Sequence, residues 1–90
     1  LFRSGSDNIL GDAGDDIIDG KSGKDTVNGG EGNDTIRGGN GKDTLRGDAG
    51  DDTLLGENGK DSIDGGEGTD TLTDQKGRNT CTNGEVVSCR

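Results

Sequence analysis

Eight aspartates, Asp7, Asp16, Asp25, Asp34, Asp43, Asp52, Asp61 and Asp70, stand nine residues apart without exception. A carboxylate repeated at fixed pitch can serve proton transfer or the binding of a hard cation. Proton transfer needs partners of another type, and the chain has no His and no Tyr. Other site motifs are missing as well. Gly41-Lys42-Asp43 and Gly59-Lys60-Asp61 lack the Ser or Thr of a phosphate loop, and no EF-hand spacing occurs. Asn33-Asp34-Thr35 is a formal glycosylation sequon and reads as a by-product of the repeat. An enzyme is not expected.

The residues around each Asp define the element that holds it. Two positions later stands one aliphatic: Ile9, Ile18, Val27, Ile36, Leu45, Leu54, Ile63 and Leu72. Two positions earlier stands Gly, at 5, 14, 23, 32, 41, 50, 59 and 68, and five positions earlier Gly again, from Gly11 to Gly65, with Phe2 the exception. Segments such as Thr35-Ile36-Arg37 alternate polar, aliphatic, polar, which is a short strand with one side chain inward. The preceding Gly-rich stretch has turn chemistry. Helix is excluded, because no aliphatic recurs at helical spacing and Gly at this density opposes it. The residue before the Asp reads Ser6, Lys24, Lys42, Lys60 in odd units and Asp15, Asn33, Asp51, Thr69 in even ones. The true period is therefore 18: two nonapeptides form one turn of a coil, and odd and even strands stack on opposite sides.

Composition sharpens the problem. The chain has 90 residues, a formal charge of −9, 20 Gly and a single aromatic, Phe2. So few apolar residues belong to disordered chains, since eight or nine buried aliphatics cannot offset the backbone entropy of ordering the rest. A pI near 4.2 argues against nucleic-acid partners, and no apolar run suggests a membrane span or signal peptide. The chain begins at Leu1 inside the repeat, which suggests a fragment or processed form. Stacked turns would place the Asp carboxylates roughly 5 Å apart and leave turn carbonyls without ladder partners. A hard divalent cation between turns would resolve both defects. Calcium accepts six to eight carboxylate and carbonyl oxygens, whereas magnesium is stricter and zinc prefers His and thiolate. Calcium is the expected ion.

The nonapeptide G-G-x-G-x-D-x-U-x, with U aliphatic, resembles the repeats-in-toxin (RTX), or hemolysin-type, calcium-binding repeat. Gly29-Gly30-Glu31-Gly32-Asn33-Asp34-Thr35-Ile36-Arg37 and Gly38-Gly39-Asn40-Gly41-Lys42-Asp43-Thr44-Leu45-Arg46 match it in full. The resemblance covers roughly residues 2–73 and implies an all-β, right-handed parallel β-roll, a β-solenoid that is disordered without calcium. It further implies that each ion sits between a turn and the turn 18 residues later. The earlier turn gives its second and fourth carbonyls and its Asp; the later gives its first and third carbonyls and its Asp.

Carried onto this sequence, the first site takes Arg3, Gly5 and Asp7 with Gly20, Ser22 and Asp25. The second takes Asp12, Gly14 and Asp16 with Gly29, Glu31 and Asp34, and the third Lys21, Gly23 and Asp25 with Gly38, Asn40 and Asp43. The fourth takes Gly30, Gly32 and Asp34 with Gly47, Ala49 and Asp52. The fifth takes Gly39, Gly41 and Asp43 with Gly56, Asn58 and Asp61, and the sixth Asp48, Gly50 and Asp52 with Gly65, Glu67 and Asp70. A seventh, at Asp61 with Asp74 and Asn79, loses a carboxylate to an amide. About six calcium ions are expected, with interior Asp residues bridging two.

The expected organisation is a repeat domain over residues 1–73 and a degenerate capping segment over 74–90. There Gly77 keeps a turn glycine, Asn79 takes the Asp place, Cys81 takes the aliphatic column, and Glu85-Val86-Val87-Ser88-Cys89 reads as a closing strand. Cys81 and Cys89 most simply form one disulfide, the alternative being two buried thiols. A disulfide implies an extracellular, secreted setting. The expected function is a calcium-triggered folding module, open to an upstream effector domain and of undetermined oligomeric state. The competing reading is an adhesive or ice-binding roll using outward Thr26, Thr35, Thr44, Thr53 and Thr71 with Ser62; the charged, uneven neighbouring column, such as Arg37, Arg46 and Asp64, weighs against it.

Overall fold

The computed structural model describes residues 8–74, 80–82 and 86–89. Each nonapeptide supplies one short strand: β1 (Asn8–Leu10), β2 (Ile17–Asp19), β3 (Thr26–Asn28), β4 (Thr35–Arg37), β5 (Thr44–Arg46), β6 (Thr53–Leu55), β7 (Ser62–Asp64), β8 (Thr71–Asp74), β9 (Thr80–Thr82) and β10 (Val86–Cys89). Every pairing is parallel. Odd strands form one sheet in the order β1-β3-β5-β7-β9, and even strands form the other as β10-β8-β6-β4-β2. Partners from β1 to β9 are offset by 18 residues, as in Ile9 with Val27 and Ile36 with Leu54. The fold is an all-β parallel solenoid with two nonapeptides per turn.

Three-residue strands would be marginal alone, but the ladder continues past their ends. The carbonyl of each repeated Asp accepts from the strand amide one turn later, as in Thr44 N to Asp25 O at 2.8 Å. The first Gly of each turn donates onward, as in Gly29 N to Arg46 O at 2.8 Å. Between the sheets lies a single file of aliphatics, Ile9, Ile18, Val27, Ile36, Leu45, Leu54, Ile63 and Leu72, none more than 4% exposed. Cys81 extends this file, opposite Ile63 in the β7–β9 register. The last coil departs from the period: β10 pairs Val87 with Leu72, a separation of 15 rather than 18. The closing strand expected over residues 85–89 is present as β10, and it joins the sheet three residues short of the 18-residue period.

Turn conformation explains which glycines vary. The fourth residue of each turn has φ between 99° and 111°, and it is Gly in every described turn, from Gly14 to Gly68. The second residue sits at φ 66–69° when it is Asp12, Lys21, Asp48 or Glu57. That is the left-handed helical well, which L residues enter at a cost of about 1–2 kcal/mol. The fourth position lies beyond it, and a methyl group on Gly41 would also strike the Gly23 carbonyl one turn below. Gly41→Ala should therefore cost the folded chain about 2–3 kcal/mol. Lys21→Gly should leave stability unchanged or raise it by up to about 1 kcal/mol. Chemical denaturation of both variants checks this, and equal losses would contradict the conformational account.

Candidate metal centre

The repeated Asp is the residue at which turn becomes strand, so its backbone lies in the ladder and its side chain points inward under the turn. Asp25, Asp34, Asp43, Asp52, Asp61 and Asp70 are all at most 3% exposed. One oxygen of Asp34, Asp43, Asp52, Asp61 and Asp70 reaches back one turn to a backbone amide. Asp16 N donates to Asp34 Oδ1 at 2.8 Å, Asp25 N to Asp43 Oδ1 at 2.9 Å, and Asp34 N to Asp52 Oδ1 at 2.8 Å. Asp43 N to Asp61 Oδ1 and Asp52 N to Asp70 Oδ1 repeat the contact at 2.8 Å.

The other oxygen has a different environment. Oδ2 of Asp16, Asp34 and Asp52 is buried and accepts no hydrogen bond, and Oδ2 of Asp25, Asp43, Asp61 and Asp70 is equally buried. Oδ2 of Asp16, Asp25, Asp34, Asp43 and Asp52 faces the first glycine of its own turn, where a carbonyl from the next turn also converges. Asp16 Oδ2 and Gly29 O lie 2.7 and 2.5 Å from the point a Cβ on Gly11 would occupy. Asp25 Oδ2 and Gly38 O lie 2.7 and 2.9 Å from the same point at Gly20, and Asp34 Oδ2 and Gly47 O 2.6 and 3.0 Å from it at Gly29. Asp43 with Gly56 beside Gly38, and Asp52 with Gly65 beside Gly47, repeat the cradle. These five pairs are the earlier-turn carboxylate and the first later-turn carbonyl expected at the second through sixth sites.

The remaining expected donors are placed less uniformly. The carbonyls of Asp12, Lys21 and Asp48 face Gly30, Gly39 and Gly66 one turn on, and those of Gly14, Gly23, Gly32, Gly41 and Gly50 face the equivalent fourth-position glycines. Yet Lys21 O accepts from Asn40 N at 2.8 Å, Asp48 O from Glu67 N at 2.9 Å, and Asn40 O from Gly23 N at 3.1 Å. Bridges between Ser22 and Asn40 and between Ala49 and Glu67 mark the same contacts. The expectation that turn carbonyls lack ladder partners is corrected here: the pitch that stacks the strands also brings some turn amides within reach of carbonyls below. Arg3, Gly5 and Asp7 of the first site and Asn79 of the seventh lie outside the described residues, as does the Asp74 side chain. Among the described residues no group of three or more His, Cys, Asp or Glu side chains converges. A cation here would rest on carboxylate pairs and backbone oxygens.

That donor set, all oxygen and rich in carbonyls, fits calcium chemistry, and the buried unbonded Oδ2 atoms of Asp16, Asp34 and Asp52 are what a cation would satisfy. A family profile described as the RTX calcium-binding nonapeptide repeat (4 copies) matches residues 3–36 and 37–72, more than three-quarters of the chain. The chain belongs to the RTX calcium-binding nonapeptide repeat family. This family binds calcium through structural, non-enzymatic repeats. Comparison with curated proteins finds no match.

Sequence reasoning missed two features of the RTX turns. The first is the hydrogen bond from a backbone amide to Oδ1 of Asp34, Asp43, Asp52, Asp61 and Asp70, which no side-chain pattern announces. The second is an outer ladder on the even turns: Asn33 N to Asp15 Oδ1 at 2.8 Å, Asp51 N to Asn33 Oδ1 at 2.9 Å, and Thr69 N to Asp51 Oδ1 at 2.9 Å. Its signal was present in the Asp, Asn, Asp, Thr alternation, which marks the period but also supplies acceptors. On the odd side Asn58 donates its amide to Asn40 Oδ1 at 2.7 Å.

Burial sets the electrostatics of the RTX carboxylates. Desolvation raises the Asp34 carboxyl above its usual range, against the Asp16 amide that lowers it, with Asp16, Asp15 and Asp48 adding to the rise. Asp52 is pushed up to about 6, first by desolvation and then by Asp70, Asp34 and Asp48, against the Asp34 amide. A folded-state value raised above the unfolded 3.8 means that the metal-free coil binds protons the unfolded chain releases. The metal-free coil is therefore favoured below about pH 4 and loses that advantage as pH rises through about 6. Calcium requires the ionised form, so its dependence runs the other way. In chelator, β-type circular dichroism should be stronger at low than at neutral pH. With calcium, the half-saturating concentration should rise as pH falls through 6. Titrations that move in parallel under both conditions would contradict this.

Proposed function

We propose that this chain is a calcium-triggered folding and stabilising module of a secreted protein. The observation that carries the reading is the cradle repeated at five successive levels, in which a buried Asp Oδ2 and a Gly carbonyl from the next turn converge. Calcium bound there would supply the positive charge that lets like carboxylates stack, and it would join each turn to the next. The ligand sets are the six derived from the repeat, about six ions in all, with Asp25, Asp34, Asp43 and Asp52 each serving two. At calcium 10–100-fold above Kd, each site contributes about 1.4–2.7 kcal/mol to folding. Without calcium the chain is an export-competent coil; outside the cell it condenses into the roll.

Residues 74–90 act as the terminal cap, in keeping with the shortened register of β10. Cys81 and Cys89 form a disulfide in this reading, supported by the approach of β9 to β10, and it suits an oxidising extracellular setting. The module has no catalytic role, because its columnar carboxylates are committed to metal, and an effector activity would reside in another part of a longer protein.

A calcium titration followed by far-ultraviolet circular dichroism should show a cooperative gain of β signal in the millimolar range or below. A flat response would overturn the proposal. Equilibrium dialysis tests the ligand sets. Asp16→Ala should remove one ion and Asp34→Ala two, with correspondingly about 1.4–2.7 and 3–5 kcal/mol less calcium-dependent stability. Equal losses would rule out bridging by the interior carboxylates.

A further inference from the structure

The two turn edges of the roll carry opposite charge once the columnar Asp residues are set aside. Turns 20–25, 38–43 and 56–61 lead from the even sheet to the odd sheet along one edge. They carry Lys21, Lys24, Lys42 and Lys60, with Glu57 as the sole acid. Glu57 is neutralised by Arg37, whose Nε lies 2.7 Å from its Oε2. Turns 11–16, 29–34, 47–52 and 65–70 form the opposite edge and carry Asp12, Asp15, Glu31, Asp48, Asp51 and Glu67 without one cation. Beside the edges, Asp19 offsets one lysine charge on the basic side, which stays net positive by three, and Arg46 cancels Asp64 on the acidic side. Lys24, Lys42 and Lys60 are exposed and stand one turn apart, lining an open groove of about 480 Å³ with Thr26, Thr44 and Ser62. Asp15, Asn33 and Asp51 are likewise exposed and one turn apart, and the outer ladder holds Asp15 and Asp51 in place by amide bonds to Oδ1.

We infer that the lysine edge of one roll docks on the acidic edge of a second copy, giving lateral association in calcium. The registers agree. Lys24 and Lys60 are separated by two turns, as are Asp15 and Asp51, so both pairs close together while Lys42 meets Asn33. Because the two surfaces lie on opposite edges of the same molecule, the contact is heterologous and does not close on itself; it extends into a ribbon. An edge spans at most about 28 by 12 Å, well below the ~800 Å² per partner of a standard interface. Association is therefore weak and salt-sensitive. It rests on the calcium reading above, since ions filling the turns remove the negative charge that would otherwise keep copies apart.

Sedimentation equilibrium of the whole chain in calcium, with circular dichroism on the same samples, tests the inference. At low salt the weight-average mass should rise above 9.1 kDa as concentration increases through the high-micromolar range, and high salt should return it to the monomer. Changing Lys24, Lys42 and Lys60 to Gln should abolish the rise, and so should Asp15→Asn with Asp51→Asn. The second variant keeps the outer ladder, because Asn33 already accepts the same bond in the native chain. Each variant retains one intact edge, so an equimolar mixture should form dimers that grow no further. A folded wild-type chain that stays monomeric overturns the association and leaves the calcium reading standing; a chain that never folds in calcium overturns both. A monomer that instead binds heparin through the three lysines overturns self-association in favour of a polyanion partner.

Discussion

Like charges stacked in a dry interior are the constraint on which this structure depends. Six aspartate side chains, at most 3% exposed, lie under successive turns of two columns. Neighbours within a column stand one turn apart, about 4.8 Å in a parallel sheet. At an effective dielectric near 20, unit charges so placed repel by roughly 3 kcal/mol per neighbour. The backbone amide that donates to Oδ1 of five of these aspartates polarises the carboxylate without removing its charge. The aliphatic file and the ladder hold the coil together but contribute nothing against that repulsion. In the proposed reading calcium supplies the counter-charge, and the rise of Asp52 to about 6, caused first by desolvation and then by its acidic neighbours, puts the same burial cost on protons when no cation acts.

The backbone answers the constraint through conformation. Left-handed φ at the second and fourth turn residues alternates with ordinary φ at the first and third, so the turn stays tight and its carbonyls face the neighbouring turn. The first glycine is needed for a different reason: its missing Cβ is the space into which the Asp Oδ2 and the next turn's carbonyl converge. Three glycine positions thus have three causes. At the second, Asp12, Lys21, Asp48 and Glu57 tolerate the left-handed well; at the fourth, no side chain replaces Gly in the described turns.

Most of the architecture was legible because it follows from periodicity. Asp at every ninth position, one aliphatic two residues later and the odd–even alternation before the Asp lead directly to parallel strands, an 18-residue coil and a single-file core. What escaped was backbone-to-side-chain bonding and the register of the last strand. The amide bond from Asp34 to Asp52 leaves no trace in residue type, because any amide could donate it. The bridge between Ser22 and Asn40 depends on turn geometry rather than on either side chain. In the tail, Cys81 kept the expected column, but Val87 pairs with Leu72 after 15 residues. A repeat whose glycine spacing has broken down no longer fixes the length of its turn.

The inner and outer ladders together separate what hydrogen bonding requires from what charge requires. Asp34 Oδ1 inside and Asp15 Oδ1 outside each accept a backbone amide across one turn at the same 2.8 Å. If that bond were the whole role of the residue, Asn would serve in both places, and outside it does: Asn33 accepts from Asp51 N between two aspartates, and Thr69 ends the row. Inside, the eight phased positions are Asp in every unit, and the column passes to an amide only at Asn79, where Asp74 and Gln75 replace the first two turn glycines and Gly77 alone remains. Water can solvate the second oxygen of the outer residues, whereas Oδ2 of Asp16, Asp34 and Asp52 is closed off from it. An amide buried there would form the same ladder bond yet bring no charge for a cation to neutralise. The strict carboxylate therefore reflects a requirement for negative charge at a dry site, one that the hydrogen bonds do not explain and that the proposed calcium coordination would.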